Sequence, residues 1–297
     1  MGDTKGKFIV IDGTDGSGKA TQTRLLAEKL IQAGFQVEIA DFPQYNIKSA
    51  GLVEEYLSGK YGSPEQVGPY RASIFYACDR YDASFKIKQW LRQGKVVISN
   101  RYVTANMGHQ GGKIKNPLER KHFFDWLYQL EYEIFNIPKP DLTVILHVPA
   151  QISQTLARQR LKLDWTDKTN DIHQDSLIHL KNAEQTYLQI AKAFPNFALI
   201  ECAPDGRILS REQINNLVWR QIKRLFERFP VSPNFKKLYE NKYLLVRSTD
   251  YYSLNPGEKT LIKNNLKIAL TVVNTSQDIL HIAPGQKVAK LFTKKKY

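Results

Sequence analysis

The stretch Phe8-Ile9-Val10-Ile11-Asp12-Gly13-Thr14-Asp15-Gly16-Ser17-Gly18-Lys19-Ala20-Thr21 joins an apolar strand, a glycine-rich turn and the start of a helix. Glycines let a backbone turn back with its N–H groups pointing inward, and the helix that follows presents its positive end, so this spacing is a cradle for phosphate. Lys19 adds a mobile cation for the β- and γ-phosphates of a nucleotide. The β-rich run before the turn and the helical spacing of Leu25, Leu26 and Leu30 after it are the context such a loop needs. One position departs from the pattern, because Ala20 stands where Ser or Thr normally offers a hydroxyl to Mg²⁺. Thr21 is next along, but one residue on a helix rotates a side chain by about 100°. Asp12 and Asp15 are therefore the candidate metal partners, directly or through water.

Outward from this loop, strand-like runs alternate with helical ones: Lys7 to Asp12, Gln36 to Ala40, Val96 to Ser99, Leu142 to Val148 and Phe197 to Glu201. Short, wholly apolar strands between amphipathic helices predict an α/β fold, a doubly wound parallel five-stranded sheet covered on both faces, over residues 1–228. Ligands of such sheets bind at the carboxyl ends of the strands. The loops after Asp12, Ala40, Ser99 and Val148 are thus expected to meet at one cleft. Arg228-Phe-Pro-Val-Ser-Pro-Asn234 follows a helix with the face Val218, Ile222, Leu225 and Phe226, and its two prolines mark a boundary. Residues 229–297 then read as a small β-rich domain of short, antiparallel runs separated by Asn255-Pro256-Gly257 and Pro284-Gly285 turns.

With 297 residues, 42% of them hydrophobic, the chain can bury a substantial core. The net charge is +14, and the segment from Pro230 onward carries 11 Lys and 1 Arg against 2 Asp and 2 Glu, a net +8 of that total. The excess therefore sits in a tail that holds no nucleic-acid motif, which disfavours a nucleic-acid binder. Cys78 and Cys202 are far apart and carry no Cys-x-x-Cys spacing, so neither a disulfide framework nor a zinc site is expected. No apolar run approaches the roughly 18 residues of a membrane helix. The expectation is a soluble cytoplasmic protein with no membrane partner.

Three further segments carry candidate chemistry. In Asp41-Phe42-Pro43-Gln44-Tyr45 and Tyr70 to Arg80, Phe75 or Tyr76 stands four or five residues before Arg80, so an aromatic ring could stack on a base while the guanidinium bonds its edge and Phe42 closes the opposite side. The alternative is that these aromatics are core and Asp79–Arg80 a surface pair. After the third strand, Arg101 could hold an acceptor phosphate with bidentate geometry, and Asn106 and Gln110 carry the amides that base edges ask for. The basic run Arg158 to Lys168 interrupts an otherwise continuous helix and reads as a lid, bringing Arg158 or Arg160 to the transferred phosphoryl group, or as a solvated basic loop.

Taken in order, Gly13 to Thr21, Phe42-Pro43-Gln44-Tyr45, Tyr76-x3-Arg80 and Asn100-Arg101-Tyr102-x3-Asn106-x3-Gln110 resemble the thymidylate kinase family over residues 6–228. The resemblance implies phosphoryl transfer from MgATP to dTMP, with ATP on Gly13, Thr14, Asp15, Gly16, Ser17, Gly18, Lys19, Ala20 and Thr21, and Mg²⁺ as cofactor. It implies that Tyr76 stacks on thymine where the family usually has Phe, that Arg80 reads the base edge and that Asn106 and Gln110 lie near it. Asp15 would meet the sugar 3′-hydroxyl, and Arg101 would lie with Phe42 and Tyr45 at the dTMP phosphate. Gly16 beside Asp15 marks the type whose catalytic arginine comes from the lid, here Arg158 or Arg160, beside Lys19, Arg101 and Asp15. Ala20, Asn100 and His109 depart from the family's metal-ligand hydroxyl, its Asp-Arg-Tyr acid and its aromatic facing the ribose 2′ position. These departures keep open a kinase for another nucleoside or deoxynucleoside monophosphate, or a nucleotide-binding regulatory protein with little turnover. The tail from Leu254 to Leu291 resembles a shortened dUTPase or dCTP deaminase fold without a catalytic aspartate, which implies a non-catalytic role. A homodimer is the expected assembly.

Overall fold

The computed structural model describes residues 6–163 and 177–226, with the residue pairs 246–247 and 272–273. The predicted α/β architecture is present. Strands β1 (Lys7–Gly13), β2 (Val37–Asp41), β3 (Val96–Asn100), β4 (Leu142–His147) and β5 (Phe197–Glu201) form one sheet in the order β2-β3-β1-β4-β5. All four pairings are parallel. Each strand lies within one residue of its sequence reading at either end, because these short apolar runs are legible from composition alone.

Helices α1 (Lys19–Gln32), α2 (Gly51–Leu57), α3 (Pro64–Arg92), α4 (Val103–His109), α5 (Pro117–Tyr128), α6 (Ala150–Leu163), α7 (Leu177–Ala193) and α8 (Arg211–Ile222) connect them. Local signals start the longer ones. Ser63 and Gln66 form a capping box at the head of α3, with Pro64 at its first position. Asn116 accepts from the backbone N–H groups of Leu118 and Glu119 at the head of α5, ahead of Pro117. α3 is kinked at Gly68, whose φ of 76° no helical residue adopts, directly before Pro69. α5 runs into a single π-helical segment, Gln129–Ile134, which changes the facing of the residues within it.

The chain divides into two compact units, residues 1–29 with 36–221 and residues 30–35 with 222–297. In the first, Phe8, Val10, Val97 and Ile145 of the central strands are essentially inaccessible and pack with Tyr102, Phe123 and Leu127. Phe8 and Tyr102 meet edge to face at 5.0 Å. In the second, the rings of Phe35 and Phe226 lie 4.6 Å apart, and β6 (Val246–Arg247) pairs with β7 (Val272–Val273). That pairing is parallel, whereas the tail was expected to be antiparallel. The rest of the expected 229–297 domain lies outside the described residues.

Register places the strand ends side by side. Asp41, Asn100 and Ile11 are Cα partners across β2, β3 and β1, and Gly13 pairs with Leu146 of β4. The segments after β1, β2 and β3 consequently leave the sheet along one edge.

Candidate functional site

A cleft with about 570 Å³ of open space lies at that edge. It is lined by Asp15 from the glycine-rich loop, Phe42 and Tyr45 after β2, Tyr76 and Arg80 of α3, Arg101 after β3 and Asn106 and Gln110 of α4. These are all eight residues singled out for a second, acceptor ligand. His109 and His179 complete the wall toward α7. The loop after β4 instead turns into α6, where the hydroxyls of Ser153 and Thr14 lie 3.0 Å apart.

The glycine-rich loop is held tightly. Lys19 is 7% exposed, donates to the Thr14 carbonyl at 2.8 Å and stands 3.8 Å from Asp15 Oδ1. Gly16 (φ 84°) abuts α6 so closely that a Cβ there would sit 2.2 Å from the Ser153 carbonyl oxygen. Asp12 is fully buried, and its Oδ1 accepts from the Gly13 N–H and the Tyr187 hydroxyl, each at 2.8 Å. Burial raises the Asp12 pKa, against the pull of Arg101 and Lys19. Its Oδ2 and the Ser17 hydroxyl are buried without a hydrogen-bond partner among the described residues. Such orphaned oxygens beside a phosphate cradle fit a hydrated divalent cation. Ala20 and Thr21 open α1 on its exposed and half-buried sides.

Asp15 is occupied differently. Arg101 Nη2 binds its Oδ1, and although burial opposes ionisation, Arg101 and Lys19 hold its carboxyl far below the usual range. Arg101 itself has φ 64°, a left-handed conformation that a non-glycine residue adopts only under constraint.

At the far end of the cleft the surface-pair alternative for Asp79 and Arg80 is corrected, since each is 1% exposed. Asp79 accepts from the backbone and side chain of Gln44 and from Ser49, which pins the loop after β2 to α3. Arg80 makes a bidentate pair with Glu131 of the π-helical segment, Nε to Oε2 at 2.7 Å and Nη2 to Oε1 at 2.6 Å. Its Nη1 donates to the Tyr102 carbonyl at 3.4 Å. The Asn106 amide donates to the Ser73 carbonyl at 3.1 Å. Gln110 is 2% exposed and its Oε1 has no partner among the described residues. Tyr76 is half buried, edge-on to Tyr56 at 6.3 Å, while Phe42 is buried and Tyr45 is 49% exposed.

Arg158 and Arg160 fall within α6, so the basic run does not break the helix at those positions. Their side chains and residues 164–176 lie outside the described residues. The sequence reading missed Glu131 and the histidine pair, which reach the site through contacts 51 and 70 residues apart.

A sequence model described as thymidylate kinase matches residues 11–212. The chain belongs to the thymidylate kinase family. It is 29% identical over 203 residues to a probable thymidylate kinase of Pyrococcus horikoshii, covering 66% of this chain and 88% of that protein. To the thymidylate kinase of Mycobacterium tuberculosis it is 31% identical over 158 residues, covering 53% of this chain and 73% of that protein. To the human thymidylate kinase it is 30% identical over 148 residues, or 50% of this chain and 64% of that protein. A solved thymidylate kinase structure from Candida albicans superposes with a TM-score of 0.58 at 22% identity, over 74% of this chain and 92% of that one, which supports the fold. Membership in the thymidylate kinase family makes the chain an ATP-dependent nucleoside monophosphate kinase, with a divalent metal accompanying the nucleotide. Among the described residues no helix is long and apolar enough to cross a membrane.

Proposed function

We propose that this protein transfers the γ-phosphoryl group of MgATP to dTMP, giving dTDP and ADP for dTTP synthesis. The observation that carries the acceptor's identity is a pairing of hydrogen-bonding senses in the cleft. Arg80 can only donate, and Gln110 Oε1 is a buried acceptor without a partner among the described residues. Thymine and uracil offer the matching edge, an oxygen at C4 beside an N–H at N3. Cytosine offers the reverse, an amino group beside a bare nitrogen, and would leave both protein groups opposed. Tyr76 and Phe42 supply the stacking walls for the ring, and Asn106 lies along its edge.

In this reading Arg101 and Asp15 sit at the acceptor phosphate and the sugar 3′-hydroxyl. The donor phosphates lie on Gly13 to Thr21 with Lys19 beneath them, and the transfer runs in line between the two. Catalysis is positioning and charge neutralisation. Lys19, Arg101 and an arginine of α6, Arg158 or Arg160, carry the charge of the transition state. The close packing of α6 on Gly16 and Thr14 supports a role for that helix. Asp12, whose Oδ2 has no partner among the described residues, and the nearby Ser17 hydroxyl would hold Mg²⁺, which would supply charge neutralisation to the donor phosphates. With ATP and dTMP as substrates, the protein works in the cytoplasm. As a homodimer it would cover the stripe Ile74, Tyr81 and Phe85 on α3, whose members are 40%, 42% and 59% exposed.

The test is ADP release with MgATP and a panel of dTMP, dUMP, UMP, dCMP and dGMP, with calorimetric binding alongside. Turnover should favour dTMP and fail with dCMP, whose edge presents the reversed pattern. Equal turnover of dCMP would overturn the acceptor assignment. Binding of ATP and dTMP without turnover would favour a regulatory protein, a reading that the missing hydroxyl at Ala20 supports.

A further inference from the structure

His109 and His179 line the cleft and take no part in the transfer proposed above, yet they are tied to the most constrained residue of the cleft. Arg101 Nη1 is 3.1 Å from His109 Nε2, and His109 Nδ1 is 3.2 Å from His179 Nε2. The two rings stack at 5.4 Å with 22° between their planes, and the edge of Tyr187 fixes His109 from a third side at 5.8 Å. The protons along this chain can be assigned. A guanidinium has no lone pair to offer, so His109 Nε2 must accept and its hydrogen must lie on Nδ1. That hydrogen can only go to His179 Nε2, which leaves the His179 hydrogen on its own Nδ1. A directed line of hydrogen bonds therefore runs from Arg101, after β3, through α4 to α7, while the other side of the guanidinium is held by Asp15.

The assignment requires both imidazoles to be neutral. Burial, joined by the charges of Arg101 and Lys19, holds His109 well below its ordinary pKa against the opposing pull of Asp15. Burial and Lys113 push His179 down to about 4, against Asp15 and Glu65. Cationic histidines would face Arg101 with an N–H and a positive charge, and the line would break.

We propose that His109 and His179 are positioning residues for the acceptor phosphate: a neutral two-imidazole relay that fixes the plane of the Arg101 guanidinium. Arg101 is held in a left-handed backbone conformation between one carboxylate and one neutral acceptor. With the carboxylate alone, the guanidinium would turn to pair fully with Asp15 and present fewer of its N–H groups to an incoming phosphate. The relay supplies direction without adding a second negative charge that would repel that phosphate. This rests on the reading of Arg101 as the holder of the dTMP phosphate.

Two readouts separate the relay from that reading. In the full-length protein at neutral pH, histidine-selective ¹⁵N NMR should show His109 protonated on Nδ1 and bare at Nε2, whatever the substrate. In steady-state kinetics, His109→Leu should raise the KM for dTMP about tenfold, the scale of a hydrogen bond to a charged group, with kcat and the KM for MgATP little changed. His109→Gln, whose side-chain oxygen can accept from Arg101, should restore most of the loss. His179→Leu should move the dTMP KM in the same direction by less. A His109 hydrogen on Nε2, an unchanged dTMP KM in His109→Leu, or a loss shared equally with MgATP would overturn the proposal. If the wild-type protein does not turn over dTMP, the functional reading fails and the NMR result alone decides the relay.

Discussion

Replacing Glu131 with Gln should destabilise this protein far more than replacing its partner Arg80, and the asymmetry follows from proton chemistry. Both side chains are essentially inaccessible and are joined by two short bonds, at 2.7 and 2.6 Å. Glu131→Gln preserves shape but leaves an arginine that cannot lose its proton, buried against an amide that offers it only one acceptor. Leaving one charge of a buried pair uncompensated costs about 3–5 kcal/mol, and the remaining acceptor puts this variant at about 3. On the scale of a 150–250-residue unit that is roughly 6–12 °C in Tm. Arg80→Met leaves a carboxyl instead, and a carboxyl can escape by taking up a proton. Burial already raises the Glu131 pKa even with Arg80 in place. A group whose folded pKa lies above its unfolded value binds more protons in the native state, so the stability of Arg80→Met should fall as pH rises from about 4.5 toward that folded pKa.

Denaturant unfolding at pH 5 and pH 7.5 measures this, with the double variant Arg80→Met/Glu131→Leu closing the cycle. The double variant removes both charges and should lie within about 1 kcal/mol of the wild type, while its affinity for dTMP is lost. A Glu131→Gln cost below about 1 kcal/mol, or an Arg80→Met cost equal at the two pH values, would refute the reasoning.

Lys19→Ala should lower kcat by at least about 10²- to 10³-fold with the fold retained, because it removes a buried cation from the phosphate cradle; near-normal turnover in the coupled assay would sink that assignment. Gly16→Ala should lower both stability and ATP affinity, since its φ is 84° and the new Cβ would meet the Ser153 carbonyl at 2.2 Å; wild-type Tm and ATP binding would show that α6 yields freely. His147 bridges Glu184 and Glu201, and these carboxylates raise its pKa despite burial. Its contribution is therefore complete below about pH 6.5 and lost as pH rises through the folded pKa, so unfolding midpoints should drop on the alkaline side. His147→Gln should flatten that slope, and parallel pH profiles for the two proteins would count against the bridge.

The sheet was legible because its signal is local. Val96-Val97-Ile98 and Leu142 to Leu146 are apolar on both faces, which a buried parallel strand requires, and their composition identifies them without a partner. The cleft was legible for a related reason: Asp15, Phe42 and Arg101 each stand at or just beyond the end of such a strand, and parallel sheets collect those ends on one edge. What escaped was the set of contacts whose two halves carry no mark of each other. Glu131 reads as one more charge on a helix, and only the π-helical segment turns it inward to meet Arg80. Tyr187 lies 175 residues from Asp12, and nothing in its helix spacing says that its hydroxyl caps a carboxylate of the phosphate loop. His109 looked like the loss of an aromatic barrier, whereas its nitrogens connect Arg101 to α7.

The loss of the hydroxyl at Ala20 is best weighed against what the loop keeps. Asp15 is a counter-ion, engaged by Arg101 and Lys19 and held ionised by them. Asp12 is the opposite case: one oxygen is fixed by Gly13 and Tyr187, the other has no partner among the described residues, and burial disfavours its charged form. A carboxylate in that state gains most from a cation brought next to it, because the cation offsets the desolvation that raises its pKa. The loop therefore has an electrostatic reason to take up a divalent ion that does not depend on position 20. Asn100 fits the same division of labour. It donates to Asp41 at 2.7 Å across the register of β2 and β3, so a negative charge remains at that end of the sheet on the neighbouring strand. In the loop Asp12, and beside Asn100 Asp41, keep a carboxylate in place, and phosphoryl transfer by charge neutralisation draws on such groups to hold its cation.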